Sequence, residues 1–497
     1  MKKSYSYLSA ASLLIISAAF IVSCQQPAAK PENPGISEIL EKALTGVVTI
    51  KFDETELGKA AFGFANDETQ KMSAADIAYA EVLQLENAKG TGSGFVILHE
   101  GKKYIITNAH VIETVKDVDK SIIAYSYERK EHSLKLVGAD SYYDIAVLSF
   151  QEEPDSTIIP IVFAEENYRI GQTCYAIGNP LSYFPYTVTQ GIISAKNRAG
   201  ISAKSGYLQS TAMLSAGNSG GPLINEKGEL LGVNTLGSTE AQQLNFSLEA
   251  GILKKIVKDI IEFGRVKRAY FGLEIYQLNR YYYDKDDNLQ TELVNKKPVI
   301  YGFIPNSPAS GKSDEYSGYS ILQANEKSIN SNEDLIEIFE SLKPGDTLRL
   351  NLDNEGKTSK TEFIAGELND ARLTEIANYY FTEHYNIALE KNNSGVIIDF
   401  PQGEQSNTFQ AYDPSIKKFR DYIPRGGKSY IIGCGNTSDM NSLDIWRVNE
   451  FKDLGNALKL STINGQISFL EYDGNTSWIN RVLISDRKDI ISKTILY

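Results

Sequence analysis

The 497-residue chain is 42% hydrophobic and 23% charged, an ordinary globular composition that excludes a wholly disordered or fibrous polymer. At about 150 residues per domain, its length suggests roughly three domains. A formal charge of −13 argues against general nucleic-acid binding, while three Cys and four His exclude a disulfide framework and leave little for a metal centre, so no metal or cofactor is expected.

Lys2 and Lys3 precede an apolar run over residues 8–22 that ends in Ser23-Cys24. Fifteen residues fall short of the roughly 20 that span hydrocarbon, so residues 1–23 are expected to be a signal peptide. Ile21-Val22-Ser23-Cys24 is similar to a bacterial lipobox, although Ile21 and Val22 replace its usual residues. That similarity implies acylation of Cys24; an ordinary secretory signal with a chance Cys is the alternative. Residues 24–35, with Pro27, Pro31 and Pro34, suit an extended tether. Losing Lys2 and Lys3 takes the charge from −13 to −15, so a body repelled by anionic lipid is expected to reach a membrane through acylated Cys24 alone. Gln25 after the Cys points to a periplasm-facing lipoprotein of the cell envelope, on the outer rather than the inner membrane. Cys174 and Cys434 lie in strand-like apolar stretches and read as buried free thiols.

From 36 to 264, short runs rich in β-branched and aromatic residues recur between turn signals, at 46–52, 94–98, 104–107, 122–127, 144–150, 173–177, 188–194, 223–225, 230–233 and 245–248. Strands at this spacing predict an all-β barrel or sandwich. Ile252, Leu253, Ile256, Val257, Ile260 and Ile261 form a helical stripe stopped by Gly264. Residues 53–89 form a long insertion, in which Ser73-Ala74-Ala75-Asp76 caps a helix expected to run to about Asn87. Three segments bear chemistry: Thr107-Asn108-Ala109-His110, Asp144 at a strand start, and Gly217-Asn218-Ser219-Gly220-Gly221-Pro222-Leu223. Each alone has a structural explanation: a bonded core histidine, a cap, a tight hairpin. Together they supply a hydroxyl nucleophile, an imidazole to take its proton, a carboxylate to hold the imidazole's tautomer, and a Gly-flanked turn for an oxyanion. The order His110, Asp144, Ser219, at spacings of 34 and 75 residues, is the one used on chymotrypsin-like double barrels. Gly90-Thr91-Gly92-Ser93-Gly94 opens no helix and makes a weak nucleotide loop.

These segments, with Gly92-Ser93-Gly94-Phe95, Ala176-Ile177-Gly178-Asn179-Pro180, Thr189-Gln190-Gly191-Ile192-Ile193-Ser194 and Gly232-Val233-Asn234-Thr235, make residues 90–273 resemble the HtrA/Deg family of trypsin-fold serine proteases. The resemblance implies His110 as base, Asp144 as its orienter and Ser219 as nucleophile. It places an oxyanion hole at Gly217, Asn218 and Ser219 and a specificity pocket at Met213, Leu214, Asn234 and Thr235. Met213 and Leu214 are apolar, so small or medium aliphatic residues are expected before the cut rather than Lys or Arg. Ser215-Ala216 replaces the family's Asn-Pro, which implies a looser approach to the oxyanion hole. The 53–89 loop fits oligomer contacts, regulation or plain surface elaboration, and the family implies a homotrimer or larger assembly.

Arg268-Ala269-Tyr270-Phe271-Gly272-Leu273 resembles the loop whose N–H groups receive a peptide C-terminus in PDZ domains, making Tyr270, Phe271, Gly272 and Leu273 the expected peptide-binding residues. Strands at 299–304, 320–324 and 347–352 and a helix at 332–342, capped by Ser331-Asn332, complete the order of a permuted PDZ domain over 265–368. The Tyr-rich stretch 276–296 and residues 313–319 depart from it. Over 369–497, strands near 393–398, 431–436 and 465–472 and a helix near 448–460 suggest a divergent second PDZ-like domain with an insertion at 402–427; another small α+β domain is the alternative. The fold class expected is mainly β: a double β-barrel protease domain over 36–264, then the PDZ domain and the divergent α+β domain. The expected activity is that of an envelope serine endopeptidase cleaving unfolded or C-terminally exposed polypeptides. A catalytically silent peptide-binding chaperone and a signalling protease with one substrate are the alternatives.

Overall fold

The computed structural model describes residues 34–52, 91–112, 122–140, 142–165, 168–178, 186–198, 206–214, 217–237, 245–283, 289–293, 297–384, 388–392, 395–400, 409–413, 418–421, 427–439, 442–461, 466–472, 477–484 and 490–496. The expected signal peptide, Cys24, most of the tether, the helix expected at 73–87, and Ser215-Ala216 lie outside the described residues.

After helix α1 (Ile36–Leu44), strands β1 (Val47–Phe52), β2 (Thr91–His99), β3 (Lys102–Thr107), β4 (Ile122–Tyr125), β5 (Glu131–Asp140) and β6 (Ile145–Phe150) close a barrel in the order β1-β2-β3-β6-β5-β4. A second barrel follows from β7 (Thr173–Gly178), β8 (Thr187–Arg198), β9 (Tyr207–Ser210), β10 (Pro222–Ile224), β11 (Leu230–Gly237) and β12 (Asn245–Glu249), ordered β10-β11-β12-β9-β8-β7. Many of these strands are apolar on both faces because they separate two cores. Val48, Ile50, Val96, Ile105 and Leu148 fill the first barrel. Phe95, Ile97, Ile106 and Val147, one position away on the same strands, turn outward into a seam shared with Tyr175, Ile177, Ile224 and Val233 of the second barrel. Each such side chain contributes roughly 1.5–3 kcal/mol by leaving water, so the seam is continuous core. Helix α2 (Ala250–Phe263) covers it with Leu253, Ile256, Val257 and Ile260 and stops at Gly264, which is left-handed at φ 73° and returns its N–H to the Ile260 carbonyl at 2.8 Å.

The strands β5 and β9 and the helix α1 are additions to the elements expected from sequence. In β5 only Leu134, Gly138 and Asp140 are buried, so its pattern is too polar to stand out. Strand β9 has four residues. Asp144, expected to open a strand, sits instead in the turn before β6, left-handed at φ 57°. Cys174 and Cys434 are free and buried; burial pushes the Cys174 thiol up to about 12 and raises Cys434, so neither offers a thiolate.

The second block holds β13 (Arg268–Tyr270), β14 (Leu273–Tyr283), β15 (Leu289–Leu293), β16 (Val299–Phe303), β17 (Ser320–Ala324), β18 (Lys327–Ser328), helix α3 (Asn332–Ser341), β19 (Thr347–Asn354), β20 (Lys357–Ile364) and β21 (Gly366–Leu368). In its main sheet β14 pairs with β16, after which β17, β19 and β20 follow in order, while the far half of β14 pairs with β15; β13 pairs with β21 where the block begins and ends. The Tyr-rich stretch forms the β14–β15 hairpin, and Ser313–Tyr316 a short helix. Ser331 and Asp334 build a reciprocal capping box on α3. The third block is an α+β sheet: helix α4 (Asp370–Asn378), β22 (Ala388–Asn392), β23 (Gly395–Phe400), β24 (Phe409–Asp413), β25 (Lys418–Asp421), β26 (Gly427–Asp439), β27 (Ser442–Arg447), helix α5 (Phe451–Ser461), β28 (Gln466–Tyr472), β29 (Ser477–Ile484) and β30 (Ile490–Leu496). The stretch expected as an insertion at 402–427 carries β24 and β25, which extend the sheet beside β29. Strand β30 leaves this block and pairs with β14 of the second.

Candidate active site

Antiparallel pairing of β3 with β6, in register at Thr107 and Ala146, brings the two loops that follow β3 and precede β6 together. His110 lies in the helical turn Ala109–Ile112, and Asp144 faces it. The His110 Nδ1 stands 2.7 Å from Asp144 Oδ2, and the His110 backbone N–H donates to Oδ1 at 2.9 Å. Both carboxylate oxygens are thus engaged by one residue, which fixes the ring's rotation and keeps a proton on Nδ1. The Asp144 side chain is only 17% exposed, whereas the His110 side chain is 47% exposed. Asn108 donates from Nδ2 to the Asp144 carbonyl at 2.7 Å and holds the left-handed turn.

Ser219 sits across the seam in the turn between Leu214 and β10. The strand β2 tacks this turn down: the Ser93 N–H donates to the Ser219 carbonyl at 3.0 Å and the Ser93 Oγ to the Gly217 carbonyl at 2.6 Å. Between these two anchored carbonyls, the Asn218 carbonyl accepts the Gly221 N–H at 3.0 Å. The Ser219 N–H shares a planar peptide with that Asn218 carbonyl, so its direction is fixed in turn. Among the described residues, no acceptor takes the N–H of Gly217 or Ser219, and both remain able to hold an oxyanion. Gly220, at φ 81°, has no room for a Cβ, which would lie 2.3 Å from both the Ser93 carbonyl and the Thr107 hydroxyl. Among the described residues, the Ser219 hydroxyl bonds to the Thr235 carbonyl at a long 3.5 Å and not to His110.

Residues 92–233 match the family described as Trypsin-like peptidase domain. The chain is 30% identical to the periplasmic pH-dependent serine endoprotease DegQ of Escherichia coli, over 73% of this chain and 78% of that protein. It is 31% identical to the serine endoprotease DegS of Salmonella typhimurium, over 62% of this chain and 86% of that one. The chain belongs to the HtrA/Deg family of serine endoproteases. It is a serine-type endopeptidase on the double-barrel fold. A solved structure titled HtrA-type protease AlgW with decapeptide shares this fold, with a TM-score of 0.50 and 22% identity over 68% of this chain and 99% of that one.

In this HtrA/Deg chain the four expected pocket residues separate into two groups. Met213 is 55% exposed and its carbonyl accepts the Thr189 hydroxyl at 2.8 Å; Leu214 is partly buried, its N–H on Asn245 Oδ1 at 3.2 Å. Asn234 is fully buried, its amide spent on the Pro222 carbonyl at 3.1 Å and the Ser247 hydroxyl at 3.0 Å. It stitches β10 to β12 instead of lining a pocket, because a buried amide must be satisfied. Thr235, also buried, meets the site through its carbonyl. Asn218, expected in the oxyanion hole, has its side chain buried near Gly178, so only its backbone is left to face the site.

Ser93, Thr107 and Asn108 act on the site without having been singled out from sequence as site residues. Thr107 donates to the Ser93 carbonyl at 2.7 Å, completing a chain of bonds from the first barrel to the Ser219 turn. Ser93→Ala is expected to lower kcat about five- to tenfold at nearly constant KM, since one bond aligning the oxyanion turn is lost, and steady-state kinetics on a peptide substrate would read it. A second tie reaches Asp144 from the other block. Arg268 forks onto Asp140, Nη2 to Oδ2 at 2.8 Å and Nη1 to Oδ1 at 2.5 Å, and its guanidinium lies 4.7 Å from the Tyr142 ring centroid. Burial alone would lower the Arg268 pKa, but the Asp140 carboxylate outweighs it and holds the guanidinium charged. The Tyr143 N–H also donates to Asp140, at 2.9 Å, so this ion pair fixes the turn that ends in Asp144.

Of the expected peptide-binding residues, Tyr270 is buried in the core of the third block and Phe271 in that of the second. Gly272 is left-handed at φ 78°, pressed against Ser307, and Leu273 opens β14.

Proposed function

We propose that this chain is a cell-envelope serine endopeptidase that cleaves unfolded or damaged polypeptides, with Ser219 as nucleophile, His110 as general base and Asp144 as its orienter. The observation that carries the reading is the doubly bonded His110–Asp144 pair at the end of β3, together with a Ser219 turn that β2 holds in place through Ser93. The Ser219 Oγ would bond to the substrate carbonyl carbon as its proton passes to His110 Nε2, and the Gly217 and Ser219 N–H groups would hold the oxyanion. On collapse the C–N bond breaks and the leaving amine takes the proton from Nε2. Water then repeats the sequence on the ester, releasing the acid and restoring Ser219. A segment entering between the barrels must be extended, which favours chains that have lost their fold. The periplasmic naming of the relatives supports the location, and the lipobox-like Cys24 supports attachment by acyl chains, with a trimer or larger assembly following the family.

The silent-scaffold reading draws on one observation: the Ser219 hydroxyl rests on Thr235 rather than on the base. Engagement requires it to turn to His110, a tightening common when substrate binds. A fluorophosphonate probe decides between the two. The chain from Gln25 onward is expected to be labelled and its Ser219→Ala variant not. If wild type and variant stay equally unlabelled, Ser219 is not activated and the scaffold reading takes over.

A further inference from the structure

Strand β14 has two edges. On one, Leu273–Tyr276 pair with β16 and Asn279–Tyr283 with β15. On the other lies β30, antiparallel through seven successive pairs from Glu274↔Leu496 to Arg280↔Ile490. The Gly272 carbonyl accepts the Ile304 N–H at 2.8 Å on the β16 side. The Leu273 N–H, in the same trans peptide, therefore points to the opposite edge, where β30 ends. An extended peptide adding itself beside the Tyr270–Leu273 loop would use this edge, in this direction.

We propose that the outer edge of β14, where a peptide is already expected beside Tyr270–Leu273, is kept filled by the chain's own segment Ile490–Leu496. The segment's composition, Ile-Ile-Ser-Lys-Thr-Ile-Leu, indicates the ligand class: a short β-forming segment flanked by aliphatic residues. An incoming peptide has to displace a tethered competitor. With an effective concentration near millimolar and an intrinsic affinity of about 10–100 μM, the tether weakens apparent binding on the order of 10- to 100-fold. Occupancy of this edge thereby becomes a threshold that only abundant or well-matched peptides cross. The proposal goes beyond the hydrolytic reading and does not depend on it.

The test measures binding alone, in Ser219→Ala protein so that nothing is cut. A fluorescent peptide of residues 490–497 is titrated into the chain from Gln25 onward and into the same chain lacking 489–497. The shortened chain should bind 10- to 100-fold more tightly. Gln277→Cys with Lys493→Cys, an opposed pair, should form an intrachain disulfide that blocks the peptide, and reductant should restore binding. The buried Cys174 and Cys434 leave the engineered pair as the reactive thiols. Equal affinity in both chains, or no binding to either while both melt cooperatively at similar temperatures, would overturn the proposal. So would a disulfide that forms only between two copies.

Discussion

Asp144→Asn should cost about ten-thousand-fold in kcat while leaving the melting temperature nearly unchanged. The carboxylate accepts from the His110 backbone N–H and from Nδ1. An amide keeps one acceptor oxygen and must present an NH2 with the other arm. If the oxygen stays on the backbone N–H, the ring is driven to the tautomer with its proton on Nε2, which cannot take the Ser219 proton. The backbone tolerates the change because Asn adopts φ 57° as readily as Asp. Asp144→Ala makes the contrast: activity is lost and stability falls as well, since Ala has neither the bonds nor the ease in this conformation. Single-turnover kinetics beside thermal melts of the two variants would check both halves, and an Asn variant retaining more than a tenth of wild-type kcat would remove Asp144 from the chemistry.

Arg268→Ala is expected to destabilise the barrel pair by about 3–5 kcal/mol, because it strands the buried Asp140 carboxylate. At 2–4 °C per kcal/mol for a body of this size, the melting temperature should fall on the order of 10 °C. Activity should fall too, since the Tyr143 N–H shares that carboxylate and the turn leads directly into Asp144. Arg268→Lys keeps the charge but loses the fork and the stacking on Tyr142, so it should recover only part of the loss. Replacing both partners, as Arg268→Met with Asp140→Asn, removes the stranded charge and should be milder than Arg268→Ala. Equal melting temperatures for Arg268→Ala and wild type would show the pair to be solvated and the link to Asp144 absent.

The catalytic candidates were legible because their chemistry demands rare residue types in a fixed order: a chain with four histidines offers few imidazoles. The barrels were legible where strands bury both faces, as β6 does over Ile145–Leu148. Strand β5 was not, because its Glu131, Lys135 and Ala139 face water. Ser93 was hidden for another reason: it lies 124 positions from Gly217, and no local pattern encodes which carbonyl a hydroxyl will find. Asn234 misled because a motif residue beside a cleft is read as lining it, whereas burial turned its amide inward. The pairing of β30 with β14 was beyond reach, since its strand-like composition says nothing of a partner more than two hundred residues earlier.

His110 and Asp144 stand on one barrel and Ser219 on the other, so under the proposed mechanism each half by itself is chemically inert. A polypeptide growing from its amino end completes the base-bearing half first, and domains made in that order tend to fold as they emerge. On that mechanism, hydrolytic power ripens only when the later strands close over the seam. An unfinished or stalled copy would then be harmless to the chains around it.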